Sequence, residues 1–314
     1  MKRFIRSVLV RFLPSLVQFR REKIKQRNRK IAQADPMALV KLAHKKYYKK
    51  EMDLEHPVTL HEKIYWMEYH TDMSEWSRLT DKVAVRDYVE ECGLGYILNE
   101  VYAVYDAIPD ENTFFENLPD AFVAKVNNSG GGTAILVKNK EHCNKKGVMK
   151  QLVDYFYDDY GARTGQPHYS CIKPKILVEK LLVNDKEPQA GLVDYKFFCF
   201  NGEPKYVNVI GNRDLFSHSF LIDQVFDLNW ERIVFDKKDK SKDIECPCSF
   251  KEMISIAKIL SRPFPFVRVD LYEVDKKPVF GELTFTPGFD IFCKYGNEIL
   301  HLGDLVDLSG CNIK

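Results

Sequence analysis

Residues 264–288 read FPFVRVDLYEVDKKPVFGELTFTPG. Two apolar-rich runs, 266–272 and 278–284, flank Asp275-Lys276, and strand, turn, strand is the simplest reading. Alternate positions of a strand share a face, so Arg268 and Asp270 point the same way. The turn between the strands can bring Glu282 beside Asp270. These charges sit among Phe266, Val267, Val269, Leu271, Val279 and Phe280, where an unpaired carboxylate is costly. Two arrangements relieve that cost. One is a hard cation shared with phosphate groups, since magnesium binds through one or two carboxylates plus phosphate. The other is an ion pair from Arg268 to Asp270 and Glu282. These residues alone leave both open.

Upstream, 192–200, 204–211 and 218–226 read as strands, with turns at Asn201-Gly202 and Asn212-Arg213-Asp214, and 249–261 reads as a helix. The run 175–182 is a buried strand containing Glu179, Lys180 and Leu182. As a strand leaving one lobe for another, it offers a hinge whose backbone can read an adenine edge, and Lys196 on a later strand can reach phosphates. The plain alternative is an ordinary core strand. Before it, 121–126 and 134–137 flank Asn127-Asn128-Ser129-Gly130-Gly131-Gly132-Thr133. The expected hairpin has a flexible tip whose amides approach phosphate oxygens without a Cβ in the way, with Lys125 to neutralise charge. It is neither a P-loop nor a dinucleotide fingerprint, and a plain flexible hairpin is the alternative.

The remaining elements are a strand over 96–105 and helices over 20–50, 59–90, 141–158 and 296–306. Thr59 with Glu62 forms a capping box, and Thr80-Asp81 offers a second cap. Helices and hairpins in mixed order predict an α+β fold rather than a doubly wound sheet.

With 314 residues, 45% of them apolar, the chain can bury the core of two packed lobes. Residues 1–30 carry eleven Lys/Arg and one acid, leaving 36 basic and 44 acidic residues over 31–314. The body therefore has no global basic field for nucleic acid, while the first thirty residues form a cationic arm. Arg11 and Pro14 interrupt its apolar positions, which excludes a signal peptide and a membrane span. An interfacial helix on anionic lipid or a helix packed on the body remains. Eight scattered cysteines, with Cys199 in a buried strand, fit a reducing compartment, and Cys246-Pro247-Cys248 reads as a loop. His56, His61 and His218 match no zinc spacing, and the histidines are expected at surface or capping positions.

Five stretches resemble the TupA-like ATP-grasp family of bacterial surface-polysaccharide gene clusters. They are TLHEKIYWMEY (59–69), LTDKVAVRDYV (79–89), LPDAFVAKVNNSGGG (118–132), DYKFFCFNGEPKYV (194–207) and 264–288. The resemblance implies two α+β lobes holding ATP between them behind a helical N-terminal portion. The organisation it suggests is a basic arm (1–30), a helical portion (31–95), a lobe with the glycine-rich hairpin (96–182) and a lobe with the metal carboxylates (183–314).

By position, Lys82 and Arg86 would lie at the edge of the nucleotide cleft. Lys125 would meet phosphates or the adenine edge, and Ser129, Gly130, Gly131 and Gly132 would fold over the phosphates. Glu179, Lys180 and the backbone to Leu182 would hold adenine, and Lys196 the phosphates. Arg268, with Lys196, would act on the transferred phosphoryl group. Asp270, Glu282 and Thr284 would hold Mg2+. Two departures stand out. The family's loop often has His-Gly where Asn128-Ser129 stands, which excludes a loop imidazole. The general ATP-grasp pattern has Asn where Thr284 stands, a weaker cation ligand.

The implied activity is an ATP- and magnesium-dependent amide-forming ligase. It would join carboxylate and amine substrates derived from sugars or amino acids, through an acyl phosphate. Its place would be the cytoplasm, at the inner face of the bacterial membrane. The rival reading is a glycosyltransferase of capsular polysaccharide synthesis, but Asp158-Asp159 at a helix end fits a metal-binding Asp-x-Asp poorly. A membrane-surface adaptor with a degenerate site is the other rival, against which stand Lys125, Lys196, Asp270 and Glu282 together.

Overall fold

The computed structural model describes residues 14–184, 191–214, 219–236, 239, 241–289, 296 and 298–314. The first thirteen residues of the basic arm, His218 and Cys293 lie outside the described residues. The chain divides into a smaller unit, 73–162 with 166–182, and a larger unit formed by the rest.

The smaller unit holds β1 (Val101–Tyr105), β2 (Phe122–Val126), β3 (Ile135–Val137) and β4 (Ile176–Lys180) in the order β1-β4-β2-β3. All its pairings are antiparallel. Period-two alternation sorts β2 into two faces. Phe122, Ala124 and Val126 are fully buried, and Phe122 and Ala124 share a cluster with Phe114, Val148, Leu152 and Val178 under the helices Glu111–Glu116 and Lys145–Phe156. Each large apolar side chain buried there is worth roughly 2–3 kcal/mol relative to exposure. The opposite face carries Val123 and Lys125, paired in register with Glu179 and Leu177 of β4. The same alternation that builds the core thus places a lysine and a glutamate together on the other side.

The larger unit holds β5 (Asp194–Phe200), β6 (Glu203–Asp214), β7 (Ser219–Phe226), β8 (Arg232–Ile233), β9 (Phe266–Val274) and β10 (Lys277–Thr284). Their order is β10-β9-β5-β6-β7-β8, again antiparallel throughout. Helix Phe250–Ser261 buries Met253, Ile256, Ala257 and Leu260 against β5, β6 and β9. Phe197 stacks on Phe250, and the Cys199 thiol lies 3.9 Å from the Ala257 carbonyl. These odd-numbered residues of β5 therefore face the helix, and Lys196 and Phe198 face away from it. Burial pushes the Cys199 thiol up to about 12, the signature of an inert core cysteine. The described cysteines are all free thiols, including Cys246 and Cys248.

Helices Pro14–Ala34, Pro36–Tyr48 and Leu60–His70 also belong to this unit. Asp35 caps the second, accepting from Met37 N with Pro36 in the first turn. The Thr59/Glu62 capping box forms as its spacing predicts. Asp81 likewise accepts from Val83 N and Ala84 N ahead of helix Val85–Glu91. Among the described residues no helix is long and apolar enough to cross a membrane.

The expected helix over 20–50 is broken ahead of Pro36, the one over 59–90 forms three helices (Leu60–His70, Ser74–Thr80 and Val85–Glu91), and two further elements differ. The strand over 96–105 begins only at Val101, because Gly95–Ile97 closes a tight helical turn, with Leu98 N donating to the Gly95 carbonyl at 3.2 Å. The helix over 296–306 is confined, among the described residues, to positions 296 and 298–299. His301 takes φ +49°, which ends it, and successive turns follow through Val306. Gly303 is pressed onto residue 58, where a Cβ would meet the Val58 carbonyl oxygen at 1.9 Å.

Candidate active site

In the smaller unit, Lys125 and Glu179 are diagonal neighbours across β2 and β4 on the face away from the core. Lys125 Nζ donates to Glu179 Oε2 at 2.8 Å, and Arg86 NH1 approaches Glu179 Oε1 at 3.5 Å. Arg86 is itself fixed by NH2 donating to the Asn99 carbonyl at 2.8 Å. The Glu179 side chain is only 8% exposed, and these two cations face it. Lys180 is turned elsewhere, its ammonium 3.9 Å from Glu100 and its carbonyl accepting from Asn99 Nδ2. Leu182 is half-buried just beyond β4.

The glycine-rich connection departs from a flexible tip. Asn127, Asn128, Ser129 and Gly130 are buried, and only Gly131 and Gly132 are exposed. Asn127 is tied to residues 173–175 by its side chain and its backbone N–H. Ser129 Oγ donates to the Val126 carbonyl at 2.8 Å, and Lys82 Nζ donates to the Ser129 carbonyl. The three glycines have different reasons. A Cβ on Gly130 would lie 2.3 Å from Tyr160 Oη, Gly132 takes φ +83°, and Gly131 faces open space. The buried Asn128 Oδ1 has no hydrogen-bond partner among the described residues, so the base of the loop offers an unused acceptor.

In the larger unit, three strands bring Lys196, Asp270 and Glu282 to one level. Lys196 pairs in register with Asp270, and Asp270 with Glu282. The last pairing depends on a β-bulge at Gly281. From Lys277 to Phe280 the hairpin runs in simple register, with Phe280 opposite Leu271, yet Glu282 stands opposite Asp270. Without the extra residue, Gly281 would face Asp270 and Glu282 would point to the helix-covered side, since a one-residue slip reverses every side chain. A glycine suits the bulge because a Cβ there would come within 2.9 Å of the Asp270 carbonyl oxygen. The bulge, rather than the turn, places Glu282.

Arg268 Nε and NH2 donate to both oxygens of Asp270 at 2.6 and 2.7 Å, and Lys196 Nζ donates to Asp270 Oδ2. NH2 of Arg268 also reaches Thr284 Oγ1 at 3.0 Å and Glu282 Oε1 at 3.4 Å, and Thr284 Oγ1 donates to Glu282 Oε1 at 3.1 Å. Asp270 is 1% exposed. Burial raises its carboxyl, but the Arg268 guanidinium and the Lys196 ammonium outweigh it and hold the group below the usual carboxylate range. Glu282 differs. Its side chain is 38% exposed, and its Oε2 makes no hydrogen bond among the described residues.

Every expected site residue except Lys180 and Leu182 therefore falls into one of these clusters or the loop beside the first. Sequence reasoning missed Tyr160, which shapes the loop at Gly130, and Asp194, whose Oδ1 lies 3.8 Å from Lys196 Nζ. The Asp194-x-Lys196 alternation on one strand was a usable signal for the second.

A model of the TupA-like ATPgrasp family matches residues 62–306. No curated protein matches the chain. Among solved structures, D-alanine–D-alanine ligase from Bacillus anthracis complexed with ATP is 14% identical, with 78% of this chain and 69% of that one covered at a TM-score of 0.45. The D-alanine–D-alanine ligase of Helicobacter pylori is 14% identical over 79% and 69%, at a TM-score of 0.46. A biotin carboxylase from Campylobacter jejuni is 12% identical over 76% of this chain and 47% of that one, at 0.45. These likenesses are partial, and it is the family match over most of the chain that assigns it. The chain belongs to the TupA-like ATPgrasp family and has an α+β ATP-grasp fold.

Proposed function

We propose that this protein is a magnesium- and ATP-dependent carboxylate–amine ligase that modifies a surface polysaccharide or its precursor. The observation that carries the reading is the row Lys196, Asp270, Glu282 across three strands, with Arg268 and Thr284 one step along the same face. The donor set fits magnesium. It offers two carboxylates at a matched register and a hydroxyl, all hard oxygen ligands. Glu282 Oε2 is uncommitted among the described residues, and Asp270 Oδ1, which accepts from Arg268 Nε, keeps a second lone pair. Asp270, Glu282 and Thr284 would hold the ion, which when bound neutralises phosphate charge. Lys196 and Arg268 would turn from Asp270 toward the phosphates and the transferred phosphoryl group.

The smaller unit would contribute nucleotide contacts of its own. Lys82 and Arg86 would frame the nucleotide, Lys125 would meet phosphates or the adenine edge, and residues 129–132 would cover the phosphates. Glu179 and the backbone of Lys180 to Leu182 would take the base. In the first step a carboxylate oxygen of the substrate bonds to the γ-phosphorus while the bond to the bridging oxygen breaks, giving an acyl phosphate and ADP. In the second, an amine attacks the acyl carbon, phosphate leaves, and the nitrogen loses a proton, giving the amide. Substrates derived from sugars or amino acids suit this chemistry. A thermal-shift panel tests the reading: MgATP should raise the melting temperature and UDP-sugars should not. Stabilisation by a UDP-sugar and not by MgATP would replace the ligase with a glycosyltransferase.

The protein would work at the inner face of the cell membrane. Helix Pro14–Ala34 carries residues 14–30 of the basic arm, and Lys23, Arg27, Lys30, Lys41, Lys45 and Lys46 are exposed along it and the following helix, beside exposed Ile24 and Leu42. Each cation near an anionic surface contributes about 1 kcal/mol. Deleting residues 1–30 should lower partition onto phosphatidylserine-containing vesicles at least about ten-fold, as read by co-sedimentation at low and physiological salt. Equal partition of both proteins would remove the membrane contact.

A further inference from the structure

The TLHEK stretch that opens helix Leu60–His70 has no part in the chemistry above, yet three of its polar residues are buried. Thr59 is 6%, His61 0% and Glu62 1% exposed, where surface or capping roles were expected for the histidines. Glu62 does more than complete the capping box. Its Oε2 accepts from Val58 N at 3.1 Å and Thr59 N at 2.8 Å, and its Oε1 accepts from Asp53 N at 3.2 Å. The same Oε1 lies 3.2 Å from Nε2 of the fully buried His44. A carboxylate with four partners fixes the start of this helix and whatever the next residue carries.

That residue is His61, and it reaches across 226 positions of sequence. Its Nε2 lies 3.2 Å from the Pro287 carbonyl, and its Nδ1 lies 2.7 Å from Tyr48 Oη. A carbonyl only accepts, so Nε2 carries the proton and Tyr48 donates to Nδ1, which fixes one neutral tautomer. The imidazole also lies flat on Phe289, with ring centroids 3.9 Å apart and planes at 11°. Pro287 and Phe289 belong to the segment that leaves β10 directly after Glu282 and Thr284, and Phe285, Thr286 and Pro287 within it are buried.

The geometry points to His61 as a positioning residue for the acidic centre: its Nε2–H on the Pro287 carbonyl and its ring on Phe289 clamp the exit of β10, holding Glu282 and Thr284 in register opposite Asp270 and Arg268. This rests on the magnesium reading of that centre. Groups that orient ligands from behind typically contribute 10–100-fold in metal affinity.

The test measures the magnesium concentration at which ATP-dependent thermal stabilisation is half complete, in the full chain at fixed ATP. In H61F, which keeps a ring on Phe289 and loses both hydrogen bonds, the midpoint should rise about ten-fold. In H61Q, whose amide nitrogen can still donate to Pro287, it should return to within about two-fold of wild type. Should H61F not fold, F289L decides, since it takes away the ring under the imidazole and keeps an apolar side chain there: a raised midpoint supports the clamp. An unchanged midpoint in H61F, or in F289L where H61F does not fold, overturns it. A merely structural role would lower melting temperatures without moving the magnesium midpoint. A wild-type protein that MgATP fails to stabilise would instead overturn the proposed function, and the clamp with it.

Discussion

Replacing Asp270 by asparagine is expected to abolish MgATP turnover and to cost about 3 kcal/mol of stability, because the variant leaves two largely buried cations facing an amide. A solvent-facing metal ligand could be neutralised without harm to the fold, but Asp270 is 1% exposed and takes both Arg268 nitrogens and the Lys196 ammonium. Glu282 at 3.4 Å from Arg268 and Asp194 at 3.8 Å from Lys196 soften the loss without replacing the bidentate pair. Glu282→Gln separates the two effects. Its side chain is 38% exposed and its ion pair is long, so stability should stay within about 1 kcal/mol, while turnover should fall below about a hundredth.

The same geometry sets a pH dependence. The folded Asp270 carboxyl titrates below its unfolded value of about 3.9. Its stabilisation is therefore complete above that value and is lost as the pH falls through the folded one. Urea denaturation at pH 7 and pH 3 should show D270N losing less stability between the two than wild type does. Equal acid sensitivity would mean that the Arg268–Asp270–Lys196 network does not contribute to stability. Retained turnover in both D270N and E282Q would remove these carboxylates from the site.

What the sequence made legible here was local. The capping box at Thr59 and Glu62 needs only a spacing of three, and the shared face of Arg268 and Asp270 only a period of two. The α+β class follows from such periods. Pairings between distant segments were beyond that reach. Nothing local pairs Lys125 with Glu179, because β4 inserts between β1 and β2 only in the folded sheet. Nor does composition show that Gly281 is a bulge, and that bulge decides which way Glu282 points. The glycine run looked mobile because glycine is permissive. Its neighbours Asn127 and Ser129, and Tyr160 from a separate helix, hold most of it down. His61 was expected at a surface or capping position because its Pro287 partner lies 226 residues away.

Glu179→Ala should show whether the smaller unit's charge cluster recognises nucleotide or only holds two strands together. The substitution removes a buried carboxylate from between Lys125 and Arg86, whose own side chains are 29% and 22% exposed. Water reaches both cations, so the cost should be about 2 kcal/mol rather than that of a fully buried broken pair. Lys125→Ala is the control. It leaves Glu179 with Arg86, which Asn99 fixes in place, and should cost about 1 kcal/mol. Under the nucleotide reading, each variant should weaken ATP binding by at least about ten-fold in calorimetric titration, since each removes a polar contact in a shielded site. The double variant should lose less stability than the two singles together, because they break one shared interaction. A Glu179→Ala protein that is destabilised yet binds ATP as wild type does would make the cluster a strand clamp, and would move base recognition elsewhere in the chain.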